Sequence, residues 1–287
     1  MPLWNMVSPW KYHDFQDGMG WVRAMRHLNP DRGQGGWISL SATVGIHVYI
    51  GRHAVVYQNA RVLGFSRIED KARIYGSAIV RDRAIVRHEA QVYDEAWIRE
   101  DAVISGNALV HGFSTISDQA QVRGRAKISG NATLIHQSIV EDEAEVIGRP
   151  PSPHEQTLLI AGRSKVSGHS LVEDESKLIH SHIEGFAHLQ KHPILIQSHA
   201  TDHANIRDEP ILIQSTVSEN TTISGNGVII QSHVSGKVKL FGSYLLKNKV
   251  LKIGNIPPLV GRNAQKNLQL FKNKLQAALH YVTKPPA

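Results

Sequence analysis

An aliphatic residue recurs at every sixth position through the middle of this chain. The run starts at Val44 and ends at Val146, and all eighteen of its members are Val, Ile or Leu. A small residue, usually Ala, stands two positions before almost every member, and Gly or Asp often stands two positions after it. A strict short period of this kind is typical of stacked repeats and not of an ordinary mixed core.

The alternation inside each repeat predicts a short strand. Side chains at alternate positions of a strand point to the same face, so the small and the aliphatic residue both point inward. Gly and Asp tolerate the unusual backbone angles of a tight corner. Three strands and three corners then close a triangular coil of eighteen residues, and coils stack about 4.8 Å apart. The sequence therefore predicts an all-β solenoid, a parallel β-helix.

The repeat is interrupted once, after Val146. It resumes at Ile160, eight residues later than the period requires, and prolines occupy positions 150, 151 and 153. Proline cannot donate a hydrogen bond to a ladder between coils. We therefore predict that residues 147–159 form a loop ejected from one corner of the solenoid.

The later repeats are shorter. Beyond Leu178 the aliphatic steps run five, six and six, which predicts coils of seventeen residues. Gln197, Gln214 and Gln231 follow this interval and are predicted to stack on one corner as a ladder of amides.

Residues outside the repeat define the ends of the fold. Residues 1–37 contain four of the five tryptophans and are expected to cap the open solenoid, with a candidate short helix at 16–28. The solenoid is assigned to residues 38–240, after which the six-residue frame is lost. Residues 241–287 form a C-terminal extension with an amphipathic α-helix predicted over 263–282. Its apolar stripe is expected to cover the top of the solenoid or to contact a neighbouring subunit.

Composition narrows the choice of partners. The formal net charge of +7 favours an anionic partner such as a phosphate-bearing cofactor. Basic residues alternate with acids in the repeat, so nucleic acid is not an expected partner. The chain has no cysteine, no signal-peptide pattern at its start and no apolar run of membrane-spanning length, so we expect a cytoplasmic protein without a membrane partner.

The aliphatic–x–Gly/Asp–x–small–x hexapeptide resembles that of the hexapeptide-repeat transferases, the left-handed β-helix acyltransferase superfamily. The resemblance covers residues 38–240. It implies a left-handed coil, a homotrimer, and acetyl-CoA or another acyl-CoA bound between adjacent subunits. It also implies a histidine general base acting on the hydroxyl or amine of a small-molecule acceptor such as a sugar. A loop like 147–159 would cover the site of its own or of a neighbouring subunit.

Three of the seventeen histidines are candidate bases. His136 and His180 replace the usual Gly or Asp at one corner, with Gly162 between them, and His154 lies in the predicted loop. A neutral imidazole near pH 7 can take a proton from the acceptor as it attacks a thioester. His136 is therefore the predicted base, His180 and His154 are alternatives, and the N–H of Gly162 is the predicted oxyanion donor. The competing interpretation is that the histidines are ordinary exposed corner residues.

Lys237 and Lys239 lie in the densest basic region and are candidate contacts for the CoA phosphates, although a solvated surface explains them equally well. His182, His199 and His233 are predicted to form an outer ladder, which we interpret as surface and not as a metal site. No metal is predicted. The alternative functions are a non-catalytic scaffold and a metal enzyme similar to the γ-class carbonic anhydrases.

Overall fold

The computed structural model describes residues 10–151 and 157–256, with side chains up to Lys252. The chain divides into two compact units, residues 1–135 and 136–287. Each is built from short parallel strands stacked as a solenoid, and the described residues contain strands but no helix, hence none that could cross a membrane. The helix predicted over 263–282 lies outside the described residues. The left hand of the coil and the three-part division stay predictions.

The first unit contains nineteen strands among its described residues. They are β1 Lys11–Asp14, β2 Trp21–Leu28, β3 Gln34–Ser39, β4 Thr43–Val44, β5 Tyr49–Ile50, β6 Val55–Val56, β7 Arg61–Val62, β8 Arg67–Ile68, β9 Arg73–Ile74, β10 Ile79–Val80, β11 Ile85–Val86, β12 Gln91–Val92, β13 Trp97–Ile98, β14 Val103–Ile104, β15 Leu109–Val110, β16 Thr115–Ile116, β17 Gln121–Val122, β18 Lys127–Ser129 and β19 Ala132–Leu134.

The second unit contains eighteen strands among its described residues. They are β20 Ile139–Val140, β21 Glu145–Gly148, β22 Leu158–Ala161, β23 Lys165–Val166, β24 Leu171–Asp174, β25 Lys177–Ile179, β26 His182–Ile183, β27 His188–Lys191, β28 Ile194–Ile196, β29 His199–Ala200, β30 Asn205–Asp208, β31 Ile211–Ile213, β32 Thr216–Val217, β33 Thr222–Ile223, β34 Val228–Ile230, β35 His233–Leu240, β36 Leu245–Lys247 and β37 Val250–Ile256.

The first three strands form an antiparallel sheet. β1 pairs with β2, and β2 pairs with β3, so β2 has a hydrogen-bonded partner on each side. The candidate helix at 16–28 was therefore wrong, because tertiary pairing overrides the local preference of these residues. β3 then pairs in parallel with β6, with Trp37 opposite Val55, so the first coil already includes residue 37.

The paired strands of the first unit are eighteen residues apart. Ile79 of β10 lies opposite Trp97 of β13, and Val80 and Ile98, the second residues of these strands, point inward and are fully buried. The following corner residue, Asp82, has a φ of 64°, and its carboxylate accepts the backbone N–H of Glu100 in the next coil at 3.1 Å. This aspartate therefore both adopts the corner conformation and holds the next corner in place. The predicted coil of eighteen residues is confirmed.

The second unit contains the interruption. Ile139 of β20 lies opposite Lys165 of β23, an offset of 26 residues, so eight extra residues leave the coil between β21 and β22. β21 extends to Gly148 and pairs with β24, and β22 starts at Leu158 and pairs with β25. The loop is therefore shorter than the predicted 147–159. From β23 to the start of the β35–β37 pair the offset is 17 residues, with Lys165 opposite His182 and Ser198 bonded to Ser181; it shifts to 16 within that last pair. The shift to seventeen-residue coils is confirmed.

A buried ladder of serines accompanies the shorter coil. The hydroxyl oxygen of each serine accepts the backbone N–H of the next one, at 3.1 to 3.2 Å. Its members are Ser164, Ser181, Ser198, Ser215 and Ser232. The hydroxyls supply acceptors for buried N–H groups, whose desolvation would otherwise be costly. Beside them, the amides of Gln197, Gln214 and Gln231 bond in series at 3.1 Å, which confirms the predicted amide ladder.

The solenoid continues past Leu240, the predicted end of the repeat. β36 pairs with β34, and β37 pairs with β35. Tyr244 occupies the place that Gly227 fills in the preceding coil, and its ring lies directly over Gly227, where an added Cβ would come within 1.9 Å of the ring. Gly227 makes room for this ring, so the coil continues although Tyr244 departs from the sequence pattern of the repeat.

Candidate functional site

The structure brings the predicted corner residues of the second unit together. His136, Gly162 and His180 all have left-handed backbone, with φ of 62°, 72° and 52°. They belong to successive turns of one corner, which we call the histidine corner. His154 lies outside the described residues.

His136 has the bonding role of a corner aspartate. Its Nδ1 accepts the N–H of Gly162 at 3.2 Å. His88 accepts the N–H of Gly106 in the same way at 3.2 Å, as the Asp142 carboxylate does for a glycine N–H at 3.0 Å. A neutral imidazole that accepts at Nδ1 carries its proton on Nε2, so this bond occupies the nitrogen that a base needs. It also occupies the N–H of Gly162. The catalytic roles of both residues stay predictions.

His180 covers the glycine from the other side. Its Nδ1 accepts the N–H of Arg163 at 3.3 Å, and a Cβ added to Gly162 would lie 2.8 Å from the imidazole. Gly162 is therefore needed both for its φ of 72° and for the close approach of this ring.

The lysines and the outer histidines lie on other parts of the same unit. Lys237 and Lys239 belong to β35, which pairs with β32, β33 and β37. His182 and His199 stack with ring centroids 5.7 Å apart, and burial lowers the pKa of His182. Among the described residues, no three His, Asp or Glu side chains are placed to hold a metal ion.

An open cleft lies at the corner from which the eight extra residues leave. Its volume is about 390 Å³. We call it the corner cleft, and it lies where β27, β30, β33 and β35 turn into the strands that follow them. Its lining residues are Lys191, His192, Asp208, Glu209, Gly225, Asn226, Gly242 and Ser243.

An imidazole and a carboxylate meet at this cleft. His192 Nε2 lies 3.4 Å from Oε2 of Glu175, whose side chain is 9% exposed. The backbone places them in adjacent coils, because Glu175 N donates to Lys191 O at 2.9 Å. On its other side, Glu175 Oε1 lies 3.9 Å from Arg149, at the start of the ejected segment. A carboxylate beside Nε2 favours the tautomer with its proton there, which leaves Nδ1 as the proton acceptor.

The cleft wall also contains a second ion pair, between Lys191 and Asp208. Lys191 Nζ lies 2.5 Å from Asp208 Oδ1, and the Gly225 N–H donates to Asp208 Oδ2 at 2.9 Å. The hydrogen bond from Lys191 lowers the pKa of Asp208, so this carboxylate stays ionised near neutral pH. Beside it, the buried hydroxyl of Tyr244 has no partner among the described residues, and burial raises the pKa of Tyr244.

The sequence pattern does not single out His192, because it does not stand at the corner position that His136 and His180 share. His192 stands three residues after its aliphatic member, Leu189, whereas His136 and His180 stand two residues after theirs. Two signals pointed to it: it shares the corner of the interruption, and Glu175 lies seventeen residues before it, one short coil away.

Comparisons with known proteins identify no family for the chain. No family model matches it, and no curated protein matches its sequence. Among solved structures, it resembles the Arabidopsis UDP-N-acetylglucosamine acyltransferase at 13% identity, over 77% of this chain and 67% of that one, with a TM-score of 0.29. At that identity and TM-score the match carries no argument about the chemistry of the corner cleft.

Proposed function

We propose that this protein is an acyltransferase that moves an acetyl or similar acyl group from a CoA thioester to the hydroxyl or amine of a small acceptor such as a sugar. The observation that carries the proposal is His192, which lines an open cleft and lies beside the buried carboxylate of Glu175. The hexapeptide coils, which resemble those of the hexapeptide-repeat transferases, support it. A cytoplasmic homotrimer remains part of the proposal.

In the proposed reaction, His192 Nδ1 takes the proton of the acceptor O–H or N–H as the acceptor bonds to the thioester carbonyl carbon. The carbon–sulfur bond then breaks, and the imidazolium gives the proton to the departing thiolate. The products are the acylated acceptor and CoA. Glu175 stabilises the imidazolium, because an opposite charge within ion-pair distance favours the charged form. Lys237 and Lys239 are retained as proposed contacts for the CoA phosphates.

The test is a turnover assay with the purified chain, acetyl-CoA and a panel of amino sugars, neutral sugars and amines. Thiol release can be followed without interference from the protein, because the chain has no cysteine. With an acceptor that turns over, His192→Ala should lower kcat/KM by about 100-fold or more, the effect expected for a lost general base.

His169→Ala is the matched control, because His169 also faces a carboxylate, Glu143, at 3.0 Å, but outside the corner cleft. It should leave kcat/KM within about twofold of the unmodified chain, as expected for an exposed pair. His136→Ala separates the two candidate bases. A large loss there, with His192→Ala fully active, would move the reaction to the histidine corner and contradict the proposal.

A non-catalytic scaffold is the second candidate function. The observation that favours it is that His88 and His136 take the structural place of aspartate at their corners, so their presence requires no catalytic role. If the protein is a non-catalytic scaffold, we expect no turnover with any acceptor in the panel, and we expect the oligomeric state of the His192→Ala variant to be unchanged.

A further inference from the structure

Four neighbouring strands of the second unit have an apolar outer side. In β25, β28, β31 and β34 the middle residue points inward, so its two neighbours point outward. We call these outward side chains the outer apolar face. Its members are Ile179, Ile194, Ile196, Ile211, Ile213, Val228 and Ile230.

This face is covered, although it lies on the outside of the coil. Ile211 is 2% exposed and Val228 is 0% exposed. At the corresponding place in the first unit, Trp97 is 46% exposed and Ile79 is half-buried. The outer side of a coil therefore does not bury its own side chains. Burial also lowers the pKa of Lys177, which precedes the face in β25.

The sequence supplies a segment suited to cover it. Residues 257–287 follow the last described strand, and their apolar positions recur at helical spacing. These positions are Leu268, Phe271, Leu275, Ala278, Leu279 and Val282. Such a stripe presents one continuous apolar surface, and a twenty-residue helix would be about 30 Å long. Four strands spaced about 4.8 Å apart span about 14 Å, so the stripe is long enough to cross the whole face.

The end of the described chain lies beside this face. Ile256 of β37 lies opposite Leu240 of β35, and it is just after Leu240 that the preceding coil turns into β36. β36 in turn pairs with β34 of the face. The described chain therefore ends in the last coil, next to one edge of the outer apolar face.

We propose that the outer apolar face is the docking surface of the chain's own residues 257–287. The apolar stripe of residues 257–287 supplies the surface that the buried face requires, so no second protein is needed to cover it. This inference goes beyond the proposed function and does not depend on it.

Cysteine cross-linking of the full chain tests this docking, because the natural chain has no cysteine to interfere. Ile213→Cys would be combined in turn with Phe271→Cys, Leu275→Cys and Leu279→Cys, and treated with a short bismaleimide. At least one pair should form a cross-link within a single chain, identified by mass spectrometry. Ile230→Cys provides a second face position if the first variant fails to fold.

Ile79→Cys, with the same three partners, is the matched control, because Ile79 has the corresponding outward place in the first unit. It should give no cross-link. Two results would overturn the proposal: no cross-link from either face position in folded protein, or cross-links only between two chains, which would make a second copy the cover.

Discussion

At the scale of single residues, the corners of this solenoid are chosen by backbone conformation. Gly, Asp, His and Gln all occur there with positive φ, and the polar ones accept or donate a bond to the next coil. A side chain that seems unusual at a corner, such as that of His136, therefore does not by itself indicate catalysis. His192 differs because its ring faces a buried carboxylate, which a structural role at the corner does not require.

Gly162→Ala tests the local fit of the histidine corner. Alanine at this position would have to adopt a φ of 72°, and its Cβ would lie 2.8 Å from the His180 ring. We expect a loss of about 1–3 kcal/mol in the free energy of unfolding, measured by denaturant titration. Gly18→Ala is the control, because its φ is 82° with nothing within 4 Å of the added Cβ, so it reports the backbone cost alone.

The double variant Gly162→Ala/His180→Ala should recover part of the loss, since the ring is then absent. Equal destabilisation in the single and double variants would show that the ring does not contribute.

At the scale of elements, a buried serine ladder accompanies the change from eighteen to seventeen residues per coil. Removal of one hydroxyl leaves a buried N–H of the next coil without its acceptor. We therefore expect the ladder to stabilise the shorter corner.

Ser198→Ala tests this role. Ser198 Oγ accepts the N–H of Ser215 at 3.2 Å, and losing that acceptor should cost about 1–3 kcal/mol of unfolding free energy. Ser170→Ala is the control, because Ser170 Oγ is also buried and donates to a carbonyl, that of Ser167. If thermal or denaturant melting finds the two variants equally destabilised, acceptance by the ladder is not what matters.

At the scale of the whole molecule, the sequence predicted the stacked coils because their period is local and strict. The aliphatic residues from Val44 to Val146 set the register of the coils, and the eight extra residues after Val146 located the interruption. It did not predict the antiparallel β1–β3 sheet, because pairing depends on partners outside each strand. It also missed the coil around Tyr244, since the space for that ring comes from Gly227, seventeen residues earlier.

The corner cleft was hidden for a related reason. Glu175 and His192 meet only because adjacent coils superimpose their corners, and their approach depends on how each side chain turns there. The spacing brings the two residues to one corner, but the burial of Glu175 and the shape of the cleft emerge only in three dimensions. The candidate chemistry is therefore a property of stacked coils and not of a contiguous motif.

The central claim is that this solenoid binds and uses an acyl-CoA. Isothermal titration calorimetry of the purified full chain with acetyl-CoA, and separately with CoA, tests it most directly. We predict saturable binding of both at concentrations up to about 1 mM, the range of ordinary substrate affinities. Absence of any binding heat for either ligand at that concentration, at two temperatures, would contradict the claim and leave the scaffold function in its place.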